Sequence, residues 1–159
     1  MKFLKTSDDH FVFHLGRREK GLLLDVLKLY PLIPISHFRI GHGPESEAQA
    51  ANQKLLEEAL SEHRAENKRA LDAMVNEPNR FQESATGYRL VLTASQLEWL
   101  LQVLNDVRVG AWLHLGSPDE KQGKRLKLGL QNARYLWAME LSGHFEHALM
   151  TARDPETGP

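Results

Sequence analysis

Residues 88–115 constrain the fold more than any other stretch, because a short alternating segment there runs straight into a helix with its own start signal. Tyr88, Leu90 and Leu92 alternate with Arg89, Val91 and Thr93, the period of two expected of a half-buried strand. Thr93, Ala94, Ser95 and Gln96 then fit a capping box. In such a box the threonine hydroxyl accepts the third helical amide and the glutamine side chain accepts the cap amide. The helix is therefore expected to begin at Ala94. At about 100° per residue, Leu97, Leu100, Leu101, Leu104, Val107, Ala111 and Leu115 fall in one arc. Trp99, Val103 and Leu113 lie off that arc, so the helix is expected to be contacted on two sides and to sit centrally.

Arg108 falls near the middle of the arc and Asn105 at its edge. Arginine stays charged and is rarely buried without a partner. The closing helix, expected over 124–150, offers one: Glu140 falls in its apolar stripe of Leu126, Leu130, Ala133, Leu136, Trp137, Leu141 and Ala148. The pattern predicts a structural Arg108–Glu140 ion pair between two central helices, with Asn105 accepting a guanidinium proton. The other reading makes Arg108 an anchor for a carboxylate or phosphate ligand. His144 lies in the same stripe as Glu140, with His147 at its edge. A divalent metal would use Glu140, His144 and His147, but helical metal sites draw further ligands from other helices. No second such group appears in the sequence, so the expectation is no cofactor.

Residues 1–6 and 10–15 read as strands around a polar turn at Ser7, Asp8 and Asp9, with Phe11, Phe13 and Leu15 on one face. A lone hairpin is marginal in water, and the strand at 87–93 is the natural third. A helix over 17–30 is too apolar to be peripheral and stops at Pro31. Arg17, Arg18 and Lys20 at its start read as a solvated cluster rather than a phosphate site. Pro31, Pro34 and the apolar residues between them form an extended link, and Gly41, His42, Gly43 and Pro44 a break without phosphate-loop spacing. A long helical pattern over 45–76 holds Leu56, Ala59, Leu60, Ala70 and Met74 on one face, interrupted by Asn52, His63 and Asn67. Such a helix bends, projects into water, or packs on a partner. Ser117, Pro118, Asp119 and Glu120 read as a helix start, and Trp99, Trp112 and Trp137 as core.

The chain has 159 residues, with 20 basic and 21 acidic side chains and a formal net charge of −1. This balance argues against a general nucleic-acid binder, and nucleic acid, through the cluster of Lys121, Lys124, Arg125 and Lys127, is the last-ranked partner. There is no cysteine, hence no disulfide, thiolate metal site or cysteine nucleophile. No segment approaches the roughly 20 apolar residues of a membrane span, and Lys2 and Lys5 interrupt any signal-peptide core. The cytoplasm is the expected compartment, and no membrane partner is expected. No nucleophile elbow, Walker loop or dinucleotide fingerprint is present.

The segment Leu104, Asn105, Asp106, Val107, Arg108 resembles the Leu-Asn-Asp-(Leu/Val)-Arg segment of an uncharacterised bacterial domain-of-unknown-function family, often encoded beside the adaptor of the Clp protease in actinobacteria. The resemblance extends to the strand and cap at 88–96, and Tyr135, Leu136 and Trp137 resemble the start of that family's closing helix. In outline it covers most of the chain. Where the family has a Gly-Thr-Arg step after the arginine, this chain has residues 109–114, without the second arginine. The resemblance implies a place near proteolysis, and the family has no established activity to transfer.

These readings combine into an α+β fold, mostly α. A helical bundle (17–30, 45–76, 94–115, 124–150) covers a three-stranded antiparallel sheet in one domain over 1–152, with a frayed tail at 153–159. The function expected is that of a non-enzymatic interaction or adaptor-like protein, with a protein partner or a homodimer, linked to protein turnover. The alternative is a small-ligand or metal-binding protein, or an enzyme, using Arg108, Glu140, His144 and His147.

Overall fold

The computed structural model describes residues 1–7, 9–39, 46–119 and 129–153. Strand β1 (Lys2–Ser7) pairs antiparallel with β2 (His10–Leu15), and β2 pairs with β4 (Gly87–Thr93). Phe13 stands opposite Leu90 and Phe11 opposite Leu92. The period of two therefore puts Phe13, Leu15, Leu90 and Leu92 on one buried face, as the alternation predicts.

The sheet has four strands rather than three, in the order β1-β2-β4-β3. The additional strand β3 (Phe81–Ser84) pairs antiparallel with β4, Phe81 against Leu90 and Ser84 against Gly87. It is an edge strand of four residues with one large apolar side chain. Its order comes from the hydrogen-bond ladder to β4 and not from burial, so it leaves no hydrophobic pattern in the sequence.

Among the described residues, four α-helices complete the fold: α1 (Arg17–Leu27), α2 (Glu47–Val75), α3 (Ala94–His114) and α4 (Ala133–Arg153). The capping box of α3 forms as read: Thr93 Oγ1 accepts from Gln96 N at 3.2 Å and Gln96 Oε1 accepts from Thr93 N at 3.0 Å. Ser46 and Gln49 cap α2 in the same way. Helices α3 and α4 are antiparallel neighbours. Arg153, at the end of α4, reaches Glu98 near the start of α3 at 3.0 Å, and His114 at the end of α3 stacks on Tyr135 near the start of α4. The core joins Leu97, Leu100, Leu104 and Val107 of α3, Phe145 and Leu149 of α4, Leu23 and Val26 of α1, and the inner face of the sheet.

Several boundaries differ from the sequence reading. α1 ends at Leu27, with Lys28 as its cap residue. α4 begins at Ala133, and Leu130, 98% exposed, lies outside it; Leu126 and the basic cluster of Lys121, Lys124, Arg125 and Lys127 fall outside the described residues. At its far end α4 continues through a buried Ala152 to Arg153. The break at residues 41–44 and residues 154–159 of the expected tail also lie outside the described residues. Ser117 does not start a helix. Its amide donates to Trp112 O and the Gly116 amide to Leu113 O, both at 3.0 Å, with Gly116 at φ 83°. This is the Schellman closure of α3, in which Gly116 takes the left-handed position and Ser117 follows it.

α2 is continuous over 29 residues, but only Leu71 and Met74 are buried, both near its C-terminal end. Leu56 and Leu60 are half-buried, while Ala59, His63 and Ala70 face water with Asn52. The segment around the 3₁₀ turn Ile35–His37 lies along it: Gln53 Nε2 donates to Phe38 O at 3.0 Å and the Arg64 guanidinium covers the Phe38 ring. At the base, Lys68 Nζ reaches the carbonyls of Leu27 and Lys28 at 3.4 and 3.5 Å, which places a cation at the negative end of α1. Of the basic cluster on α1, Arg17 and Arg18 are exposed, but Lys20 is not simply solvated: its ammonium sits 3.9 Å from the centre of the Tyr88 ring and 5.0 Å from that of Phe81.

Candidate functional site

Arg108 does meet a carboxylate from α4, but it is Glu146 and not Glu140. Arg108 Nε lies 2.8 Å from Glu146 Oε2, and Arg108 Nη2 donates to Asn105 Oδ1 at 3.1 Å. The sequence pattern places both members of the pair inside, and only the carboxylate is. Glu146 is the buried member, 8% exposed, and the Arg108 side chain is 46% exposed at the rim of the α3–α4 seam. Burial pushes the Glu146 carboxyl above its ordinary value, and the guanidinium opposes that shift without cancelling it. The Arg108 stem crosses α4 at Gly143, where its Cδ would lie 3.9 Å from an added Cβ.

The cause of the exchange is a shift in phase. α4 buries Ala138, Ser142, Phe145, Glu146, Leu149 and Ala152. That stripe is one residue, or about 100°, away from the one read through Trp137, Leu141 and Ala148. Both stripes are apolar, so the pattern of α4 alone does not choose between them. Glu140, His144 and His147 are consequently exposed. His144 turns toward α1, with its Nε2 3.9 Å from Glu19 Oε1. Among the described residues, no three histidine, aspartate or glutamate side chains gather as a metal site would require.

Beside Arg108 lies a groove of about 240 Å³ walled by Val109, Trp112 and Met139. Trp112 is 38% exposed rather than core, as is Trp137. The Trp112 ring is held by its indole N–H, which donates to Pro118 O at 3.2 Å. The turn that closes α3 thus also orients the groove's aromatic wall. Arg108 is held by its ion pair with Glu146 and by the hydrogen bond from Nη2 to Asn105, and its Nη1 finds no acceptor among the described residues. The groove therefore combines an apolar body with one cationic side chain in its lining.

Glu19 forms a second polar cluster. Its carboxylate pairs with the Met1 amino group and accepts from Gly16 N at 2.8 Å. Burial works to raise its pKa, but hydrogen bonds from the amino group and the Gly16 amide, with the nearby charge of the amino group and His144, hold it below the ordinary value.

Two structural polar residues escaped the sequence reading. Asp106, off the apolar arc of α3, accepts from Leu32 N at 2.6 Å and Ile33 N at 3.3 Å. Arg80, buried, reaches Met74 O at 3.3 Å, Gln96 Oε1 at 2.9 Å, Val91 O and Glu77 Oε2. It joins the end of α2 to β4 and to the cap of α3. A signal for Asp106 existed in the proline-flanked link, whose amides need acceptors if it packs on a helix; none existed for Arg80. Compared with known proteins, the chain matches no protein-family model, no curated protein and no solved structure.

Proposed function

We propose that this protein is a non-enzymatic, adaptor-like interaction protein that engages a protein partner through α2. The observation that carries this reading is the imbalance along that helix. Its last turns are anchored by Leu71 and Met74, while its first turns expose Leu55 at 64% and present Ala48, Ala51 and Ala59 to water. Helices in proteins draw most of their stability from packing an apolar face, so a long helix whose first turns expose apolar side chains is suited to receive a second surface. The resemblance around Leu104–Arg108 adds the context of cytoplasmic protein turnover to the proposal.

A photo-crosslinking residue placed at Leu55 tests the reading, with the same residue at Glu83 on β3 as control. Capture of a discrete protein species from position 55 and not from 83 is the expected result. Doubling of mass in light scattering, abolished by Leu55→Glu, would identify the partner as a second copy of the chain. Equal labelling from both positions, or none from position 55, would overturn the proposal.

A further inference from the structure

We propose that the groove beside Arg108 is a binding site for a small monocarboxylic acid with an aromatic or branched apolar body. This inference does not rest on the role of α2.

An exposed arginine is ordinarily a mobile side chain with all its donors in water. Arg108 is different because two groups hold it from behind. The buried Glu146 carboxylate pairs with it as an ion, Oε2 lying 2.8 Å from Nε, and Asn105 Oδ1 accepts from Nη2 at 3.1 Å. The ion pair holds the guanidinium against α4 and the Asn105 bond orients it, while the Nη1 amine is left without an acceptor among the described residues. The end of the guanidinium formed by Nη1 and the second N–H of Nη2 is the edge that binds a carboxylate through two parallel hydrogen bonds. Ordering it beforehand removes entropy that a ligand would otherwise have to overcome.

The rest of the groove selects the ligand's body. Val109, Trp112 and Met139 are apolar, Met139 adapts to irregular shapes, and Trp112 presents a flat face. That ring is itself held by the Trp112 Nε1 hydrogen bond to Pro118 O at 3.2 Å. Its volume of about 240 Å³ is below the roughly 300–1,000 Å³ of drug-sized sites, which suits one ring or one branched chain with its carboxylate. Glu146 already balances the arginine charge. The site therefore favours one negative charge directed at the fork over a multiply charged phosphate.

Phenylacetate and its uncharged counterpart 2-phenylethanol are the probes. The readout is the indole N–H resonance of Trp112, identified by its loss in Trp112→Phe. Phenylacetate is expected to shift that resonance saturably in the wild type, with 2-phenylethanol at least about tenfold weaker. Arg108→Lys keeps a cation for Glu146 but not the planar fork, and is expected to weaken phenylacetate about tenfold with the amide spectrum otherwise preserved. Asn105→Ala, which leaves the Glu146 pair intact, should weaken it by a smaller factor. Absence of a saturable shift in the wild type, or equal affinity for the alcohol and the acid, overturns the proposal without reference to any variant. Undiminished binding by a folded Arg108→Lys overturns the role of the fork.

Discussion

Gly110→Ala is expected to destabilise the protein although the substitution improves helix propensity. A Cβ at Gly110 would stand 2.5 Å from Leu32 C, 2.7 Å from Ile33 N and 2.8 Å from Leu32 Cβ. Two of these atoms are backbone and cannot rotate away, so the 32–33 segment or α3 must move. Overpacking of this kind costs about 1–3 kcal/mol. Movement of the segment also weakens the amide bonds from Leu32 and Ile33 to Asp106 Oδ1. Hydrogen bonds to a charged group contribute about 1.5–3 kcal/mol. Against this, alanine gains about 1 kcal/mol over glycine inside a helix. The net loss should be about 2–4 kcal/mol, read as a fall in the urea midpoint. Gly21→Ala is the control, since nothing lies within 4 Å of its added Cβ; it should stabilise by about 0.5–1 kcal/mol. Because Gly110 and Asp106 act on the same segment, Asp106→Ala should cost less in Gly110→Ala than in the wild type. The reasoning is refuted if Gly110→Ala stabilises as Gly21→Ala does, or if the two losses add.

Arg80→Ala removes a buried cation and its hydrogen bonds to the Val91 and Met74 carbonyls, Gln96 Oε1 and Glu77 Oε2 together, and should cost about 2–3 kcal/mol in denaturant melts; a loss under about 1 kcal/mol would show that water replaces it. Arg108→Met should cost about 1–2 kcal/mol, less than a fully buried pair because Arg108 is half exposed, and adding Glu146→Leu should recover most of it; a double variant worse than the single would contradict the pairing. Glu146, with its folded pKa raised, holds its proton to higher pH when folded than when unfolded. Its contribution is therefore full below the unfolded value of about 4.3 and is lost as pH rises through the folded one. Glu146→Gln lacks that loss, so its stability relative to wild type should grow across this window in melts at stepped pH, and a constant difference would refute the shift. Glu19 has the opposite sign: its pKa is lowered, so its contribution is present above the unfolded value and lost as pH falls through the folded one. Glu19→Gln should remove that acid-side loss, and an unchanged acid limb would count against the cluster.

Periodicity read well where one stripe dominates and poorly where two compete. In β2 and β4 the side chains alternate, and the paired faces follow directly, Phe13 opposite Leu90. The cap at Thr93 and Gln96 is local chemistry with one outcome. α4 has leucine, tryptophan or phenylalanine on most of its circumference, so its buried face depends on what α3 presents. Neighbouring-helix geometry decided for Phe145 and Glu146 over Leu141 and Glu140. The candidate site inherits this: Arg108 and Asn105 were legible because three residues on a helix bring them together. Glu146, Trp112 and Met139 were not, since they depend on the phase of α4 and on the turn after α3. β3 and Arg80 depend on backbone partners distant in sequence, which hydrophobic patterning does not report.

The segment from Asn105 to Arg108 shows why composition alone cannot assign such residues. At about 100° per residue, Asp106 and Arg108 lie some 200° apart around α3 with Val107 between them. Opposite charges two residues apart therefore cannot neutralise each other and must find partners on different flanks. Asp106 finds the amides of Leu32 and Ile33, Val107 enters the core, and Arg108 crosses to Glu146 with Asn105 beside it. One turn of helix thus fixes a loop on one side and a cationic fork on the other. The carboxylate and carboxamide are not interchangeable there: two backbone amides favour the full charge of Asp106, whereas a second carboxylate in place of Asn105 would occupy the guanidinium that the groove leaves available.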